Sequence, residues 1–83
     1  MENSDIAIKM TEALVKAGGT DKSVKFDFGD DGQVFASGTE ATTENNEADC
    51  TISVSKEDFI SLAEGNLDPM MAFMSGKLKV AGD

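Results

Sequence analysis

Apolar side chains recur at helical spacing over residues 4–17. The polar positions between them include Asp5 and Glu12, and Gly18-Gly19 interrupts the pattern. A helix with one apolar stripe buries that stripe against a second layer of the protein. The spacing therefore predicts an amphipathic helix whose stripe comprises Ile6, Met10, Ala13, Leu14 and Ala17.

Apolar and polar side chains alternate in residues 24–28, 34–36 and 50–54, as they do in strands with one buried face. The first two segments flank the turn residues Asp30-Asp31-Gly32, which predicts a hairpin. Residues 40–47 lack apolar periodicity and are rich in turn-prone side chains. They predict a solvent-exposed connection with at most a short extended piece.

Two helices are predicted to meet at a tight corner after the third strand. Ser55 with an acid three residues later favours a helix start, and Gly65 suits the left-handed position that follows a helix. Asp68-Pro69 then supplies an N-cap and an N1 proline. We expect the apolar face of the second helix to lie against a strand over 77–80. That face comprises Met70, Phe73 and Met74.

The predicted order of elements is helix, strand, strand, strand, helix, helix, strand. Such an order favours an antiparallel sheet with the helices gathered on one face. We therefore expect a single α+β domain over residues 1–83.

The charge of the chain argues against nucleic acid as a partner. Seven lysines stand against sixteen acidic residues, for a net charge of −9, and the sequence contains neither arginine nor histidine. Such a chain repels polyanions and has no guanidinium fork for phosphate groups.

The side chains that catalysis requires are scarce. Because histidine is the commonest general base and metal ligand, its absence leads us to expect no enzyme activity, no metal and no other cofactor. Asp27, Asp30 and Asp31 lie close together and could contact calcium, but a polar hairpin turn explains them equally well. The single cysteine, Cys50, occupies an apolar strand position that is typical of a buried thiol.

The hydropathy of the chain does not favour membrane insertion or secretion. No run approaches the roughly 18 apolar residues that cross a bilayer, and the first residues lack the pattern of a signal peptide. We therefore expect a soluble, cytoplasmic protein without integral membrane association.

Several motifs resemble one family in their order and spacing. They are the strand Ala48-Asp49-Cys50-Thr51-Ile52, the phrase Asp58-Phe59 ahead of Leu62, the corner Gly65-Asn66-Leu67-Asp68-Pro69, and the segment from Phe73 to Val80. Together they resemble the sterol carrier protein type-2 (SCP2-like) domain, a family of small lipid-binding domains, from about residue 24 to residue 83. The resemblance implies a four- to five-stranded α+β fold.

The resemblance also implies non-catalytic binding of a long-chain fatty acid, an acyl-CoA or a sterol-like lipid in an apolar tunnel between sheet and helices. Burying an acyl chain returns about 0.8 kcal/mol per methylene, so a dry slot of the right shape is sufficient. Lys77 or Lys79 is the expected partner of a carboxylate head group. Carried onto this chain, the tunnel wall comprises Phe26, Phe35, Ile52, Phe59, Leu62, Met70, Phe73, Met74 and Leu78.

The chain departs from the family pattern at its C-terminus. Family members usually continue into a helix that lies over the apolar site, whereas this sequence stops at Asp83, in the N-cap position of such a helix. We therefore expect a C-terminally truncated domain with exposed apolar surface, which would favour a homodimer or strand exchange.

Two other functions compete with lipid carriage. An accessory or protein-interaction module would keep the fold and fill the tunnel with side chains such as Phe35 and Phe73. A domain appended to a lipid-metabolising enzyme is the third hypothesis, because the family includes fusions to dehydrogenases and thiolases. The self-contained first helix argues against that third hypothesis.

Overall fold

The computed structural model describes residues 1–82 of the 83-residue chain. The expected cap at Asp83 lies outside the described residues. Within residues 1–82 the structure contains three α-helices, five strands and one 3₁₀ turn. In chain order they are α1 (Asn3–Ala17), β1 (Thr20–Asp27), the 3₁₀ turn (Gly29–Asp31), β2 (Gln33–Gly38), β3 (Glu40–Thr42), β4 (Cys50–Val54), α2 (Lys56–Ala63), α3 (Pro69–Met74) and β5 (Leu78–Gly82).

The strands form one sheet in the order β3-β2-β1-β4-β5. The predicted hairpin is confirmed as the antiparallel pair β1–β2, and β3 is the short extended piece of the predicted connection. The expectation of a purely antiparallel sheet was wrong, because β1 and β4 run parallel. Side chains alternate between the two faces of a sheet in parallel and in antiparallel strand pairs alike, so the sequence pattern did not predict whether neighbouring strands run in the same direction.

One face of the sheet is covered by α1 and α2. Phe26 lies directly opposite Val34 on β2 and beside Ile52 on β4, so these three side chains share that face. Helix α1 packs over β2 and β3. The core consists of the buried residues Ile6, Ala7, Phe28, Val34 and Val54, with Met10, Phe26, Ala41, Ile52, Phe59, Ile60 and Leu62 packed against it.

The predicted helix boundaries are confirmed by their hydrogen bonds. The Ser55 hydroxyl accepts from the backbone N–H of Asp58 at 3.1 Å, and an Asp68 carboxylate oxygen accepts from Met70 N–H at 2.9 Å. Gly65 has φ of +79°, and the residue after it donates to the Ser61 carbonyl. The corner between α2 and α3 therefore follows from local backbone chemistry.

The connection from β3 to β4 crosses the sheet face opposite the helices. Lys25 Nζ donates to Asn45 Oδ1 at 2.8 Å, and Gln33 Nε2 donates to the Thr43 carbonyl at 2.7 Å. At its end, the Asp49 carboxylate accepts from Ser23 N–H at 3.0 Å, while the Ser23 hydroxyl accepts from Asp49 N–H at 2.9 Å. This reciprocal pair holds the start of β4 beside β1.

Replacing Asp49 with alanine is expected to lower the free energy of unfolding by about 1 kcal/mol, because Ser23 N–H loses its acceptor. Urea unfolding followed by circular dichroism would measure the change. Glu47→Ala removes the same charge from an exposed position in the same connection and should change the midpoint little. Equal effects of the two substitutions on the midpoint would show that the loss of stability comes from the lost charge and not from the lost contact with Ser23.

Candidate functional site

An apolar groove of about 490 Å³ separates α1 from α2. Its floor is formed by buried Ile6 and half-buried Met10, Phe59 and Ile60, whereas its rim is exposed. The rim comprises Met1, Lys9, Ala13, Ala63 and Glu64. We call this space the α1–α2 groove.

Phe59 anchors the floor of the α1–α2 groove to the sheet. Its ring centroid lies 5.1 Å from that of Phe26 and 5.2 Å from that of Phe28, in tilted arrangements. Such aromatic pairs contribute about 0.5–1.5 kcal/mol each beyond their buried area. The ring cluster therefore fixes α2 against β1 and leaves the far side of Phe59 facing the groove.

The structure brings part of the predicted tunnel wall together. Phe59 lines the α1–α2 groove, and Phe26, Ile52 and Leu62 pack in the cluster beneath it. Leu78 is half-buried on β5, opposite Val54 of β4. These residues share the helix-covered face of the sheet.

Phe35 does not belong to this wall, so its assignment is corrected. Its neighbours Val34 and Ala36 are buried beneath α1, and alternation along β2 places Phe35 on the opposite face. There it lines a shallow groove with Thr42, Glu44 and other polar residues. Val34, Phe35 and Ala36 are consecutive apolar residues, so the sequence pattern did not show which face of the sheet Phe35 occupies.

The expected inward face of α3 is also corrected. Met70, Phe73 and Met74 are 68, 57 and 76% exposed, whereas Ala72 is fully buried. A six-residue helix offers only one side to the protein, and α3 packs on β5. The small side chain of Ala72 allows α3 to approach β5 closely, so the side of α3 that carries Ala72 faces the protein. The long side chains on its other side therefore face solvent.

The expected head-group lysines lie elsewhere as well. Lys77 and Lys79 line a separate groove with Asp27 and Ser53. The lysine that lines the α1–α2 groove is Lys9, from the first helix. Lys9, Met10 and Ala13 were not expected as site residues, although the amphipathic pattern of α1 places Met10 and Ala13 on its apolar stripe.

The other candidate sites have ordinary structural surroundings. Cys50 is buried, as its strand position predicted. Asp27 Oδ1 accepts from Gly29 N–H at 2.9 Å, a contact typical of an aspartate at a turn. Among the described residues, no group of three or more metal-ligating side chains comes together. Nor does any helix in that part of the chain have the length and apolar character needed to cross a membrane.

Comparison with known proteins decides the family. A model of the SCP-2 sterol transfer family matches residues 5–83. The chain belongs to this family. The match begins well upstream of the family motifs, which start at Ala48, and it includes nearly all of α1, which forms one wall of the groove.

Curated relatives match a shorter stretch of the chain. Hydroxysteroid dehydrogenase-like protein 2 of Bos taurus is 49% identical over 39 residues, which cover 47% of this chain and 9% of the relative. Sterol carrier protein 2 of Homo sapiens is 44% identical over 39 residues, covering 47% of this chain and 7% of the relative. The matched segment thus spans less than a tenth of these curated relatives.

A solved SCP-2 structure has the same fold. Sterol carrier protein 2 of Yarrowia lipolytica, in its apo form, superimposes with a TM-score of 0.62 at 25% identity, covering 95% of this chain and 68% of that protein. The similarity confirms the α+β architecture. Family membership supports lipid binding or transfer as the general function.

Proposed function

We propose that this chain binds the apolar part of one lipid molecule in the α1–α2 groove and carries it without chemical change. The ligand would be a long-chain fatty acid, an acyl-CoA or a sterol-like molecule. The observation that carries the proposal is the groove itself, a largely apolar space of about 490 Å³ in a member of a sterol transfer family.

The dimensions and lining of the groove support this proposal. Sites for small molecules usually measure roughly 300–1,000 Å³ and combine apolar walls with few polar groups. Apart from Lys9 and Glu64, every side chain that lines the groove is apolar. Met1 and Met10 add flexible thioethers, which adapt their shape to irregular ligands.

The proposal is tested by filling the groove from α1. Ala13 and Ala17 are both exposed on α1, one turn apart, and only Ala13 lines the groove. Ala13→Phe is expected to weaken binding of a dansyl-labelled fatty acid by roughly tenfold, because the new ring occupies space that the acyl chain needs. Fluorescence titration measures the affinity.

Ala17→Phe is the matched control, since it adds the same ring outside the groove and should leave the affinity within about twofold of the parent. Circular dichroism of both variants would establish that they are folded. Absence of saturable binding by the folded, monomeric parent chain would overturn the proposed function. Equal affinities of the two variants would instead exclude this groove as the binding site.

A protein-interaction module is the second candidate. The exposed side chains of α3, at 57–76% exposure, favour it because clustered apolar surface marks contact sites. Such a module, including a homodimer, would be supported by an association that Met70→Ser and Met74→Ser weaken in sedimentation experiments. It would replace the lipid-carrier proposal only if the parent chain also failed to bind lipid.

A further inference from the structure

The two walls of the α1–α2 groove are fixed to different parts of the sheet. Helix α2 is held by the ring contacts of Phe59 with Phe26 of β1 and with Phe28, whereas α1 packs over β2 and β3. Within residues 1–82, two side chains of α1 form hydrogen bonds with parts of the chain beyond α1, those of Asn3 and Thr11, and neither bond reaches α2. The separation of the two helices therefore depends on where α1 is held on the sheet.

The Thr11 hydroxyl joins α1 to the edge of the sheet. It donates to the Ala7 carbonyl at 2.8 Å, accepts from the N–H of Ala41 on β3 at 3.1 Å, and lies 3.5 Å from the Ala41 carbonyl oxygen. Because β3 is an edge strand, one row of its backbone groups has no neighbouring strand to bond with. Thr11 binds one group of that row. Both Thr11 and Ala41 are half-buried, so loss of this contact leaves a backbone N–H only partly accessible to water.

This tether lies on the side of α1 that faces away from the groove. At about 100° per residue, the side chain of Thr11 points roughly 160° away from those of Lys9 and Ala13, which line the groove. The hydrogen bond to Ala41 therefore holds α1 toward the edge of the sheet and away from α2.

Apolar burial acts in the opposite direction. The groove encloses about 490 Å³ between largely apolar walls, so movement of α1 toward α2 would remove apolar surface from water. Such a groove stays open where other contacts hold its walls apart. The bond between Thr11 and Ala41 is a contact of this kind.

We propose that Thr11 is a positioning residue for the lipid site, because its hydrogen bond to Ala41 holds α1 in the open arrangement and so sets the width of the α1–α2 groove. The inference rests on the proposed function, since it concerns the same groove. Thr11 is not among the residues that line the groove and does not touch the ligand. It acts on the fraction of molecules whose groove is open, and that fraction scales the apparent affinity.

Thr11→Val tests this role, because valine has a similar shape and lacks the hydroxyl. We expect titration with a dansyl-labelled fatty acid to show roughly fivefold weaker binding than the parent, which corresponds to the typical net contribution of one hydrogen bond, about 1 kcal/mol. Thr11→Ser keeps the hydroxyl and should restore the affinity to within about twofold of the parent. Circular dichroism of both variants would establish that they are folded.

Asp49→Ala is the control that separates positioning from stability. It also removes a hydrogen bond to a backbone N–H, that of Ser23, and neither residue lines the groove. Its loss of stability should be similar to that of Thr11→Val, whereas its affinity for the labelled fatty acid should stay within about twofold of the parent.

A distance measurement reports the position of α1 directly. Glu12 and Glu57 are exposed residues of α1 and α2 that do not line the groove, and Cys50 is buried. Nitroxide labels on Glu12→Cys and Glu57→Cys therefore report the separation of the two helices by pulsed electron paramagnetic resonance. Without lipid, we expect a shorter distance between the labels in the Thr11→Val background than in the parent background.

The outcomes distinguish the two proposals. If the folded parent does not bind the labelled fatty acid, the proposed function fails and the positioning role fails with it. If the parent binds and Thr11→Val binds within twofold of it, the proposed function stands and the positioning role is overturned. The positioning role is also overturned if Asp49→Ala weakens binding as much as Thr11→Val, or if the label distance is the same in both backgrounds.

Discussion

Phe59→Ala is expected to lower the free energy of unfolding by about 3 kcal/mol. The ring contacts both Phe26 and Phe28 and ties α2 to β1, so its removal takes away two aromatic pairs as well as buried area. A chain of 83 residues is stable by only about 4–12 kcal/mol. The substitution therefore removes a large share of the total free energy of unfolding.

Phe73→Ala is the matched control for this substitution. Both phenylalanines lie in short helices and both were predicted to form the lipid-facing wall, but Phe73 is 57% exposed. Its truncation should change the free energy of unfolding by less than about 0.5 kcal/mol. Urea unfolding of the two variants provides the comparison, and similar losses in both would contradict the outward orientation of α3.

Gly82→Ala should destabilise the protein by about 2–4 kcal/mol. Gly82 has φ of +90°, which an L side chain adopts only with strain. A Cβ atom at this position would also collide with the backbone carbonyl oxygen of Asp49. Since Gly82 pairs with Cys50, relief of the collision would push the end of β5 away from β4.

Gly38→Ala separates the collision from the backbone strain. Gly38 ends β2 with φ of +62°, and a methyl group added there would meet none of the described atoms within 4 Å, so its substitution should cost only about 1 kcal/mol. Thermal unfolding of both variants measures the difference. If Gly38→Ala lowered the stability as much as Gly82→Ala, the collision with Asp49 would not contribute to the effect of Gly82→Ala.

Lipid binding and the position of the bound lipid follow from different observations. Lipid binding as a general function follows from family membership. The position of the bound lipid depends on the packing of α1 beside α2 and on the side chains that line their groove. The Ala13 substitution tests that position.

The sequence by itself determined the local elements of this protein. Caps at Ser55 and Asp68, the glycine that ends α2 and the alternation along β4 depend on backbone dihedrals and hydrogen bonds within a few residues. Together with the family motifs, they identified the helices, most strands and the α+β class. The net charge of −9 follows from the composition alone and does not depend on folding.

Only the tertiary structure decided which side chains meet. The parallel pairing of β4 with β1, the outward direction of Phe35 and the outward face of α3 depend on contacts between distant segments. A shift of one residue in register reverses the face of every side chain in a strand, and no local pattern fixes that register where consecutive residues are apolar. The α1–α2 groove has the same origin, because its two walls are far apart in sequence and face each other only after both helices pack on one sheet.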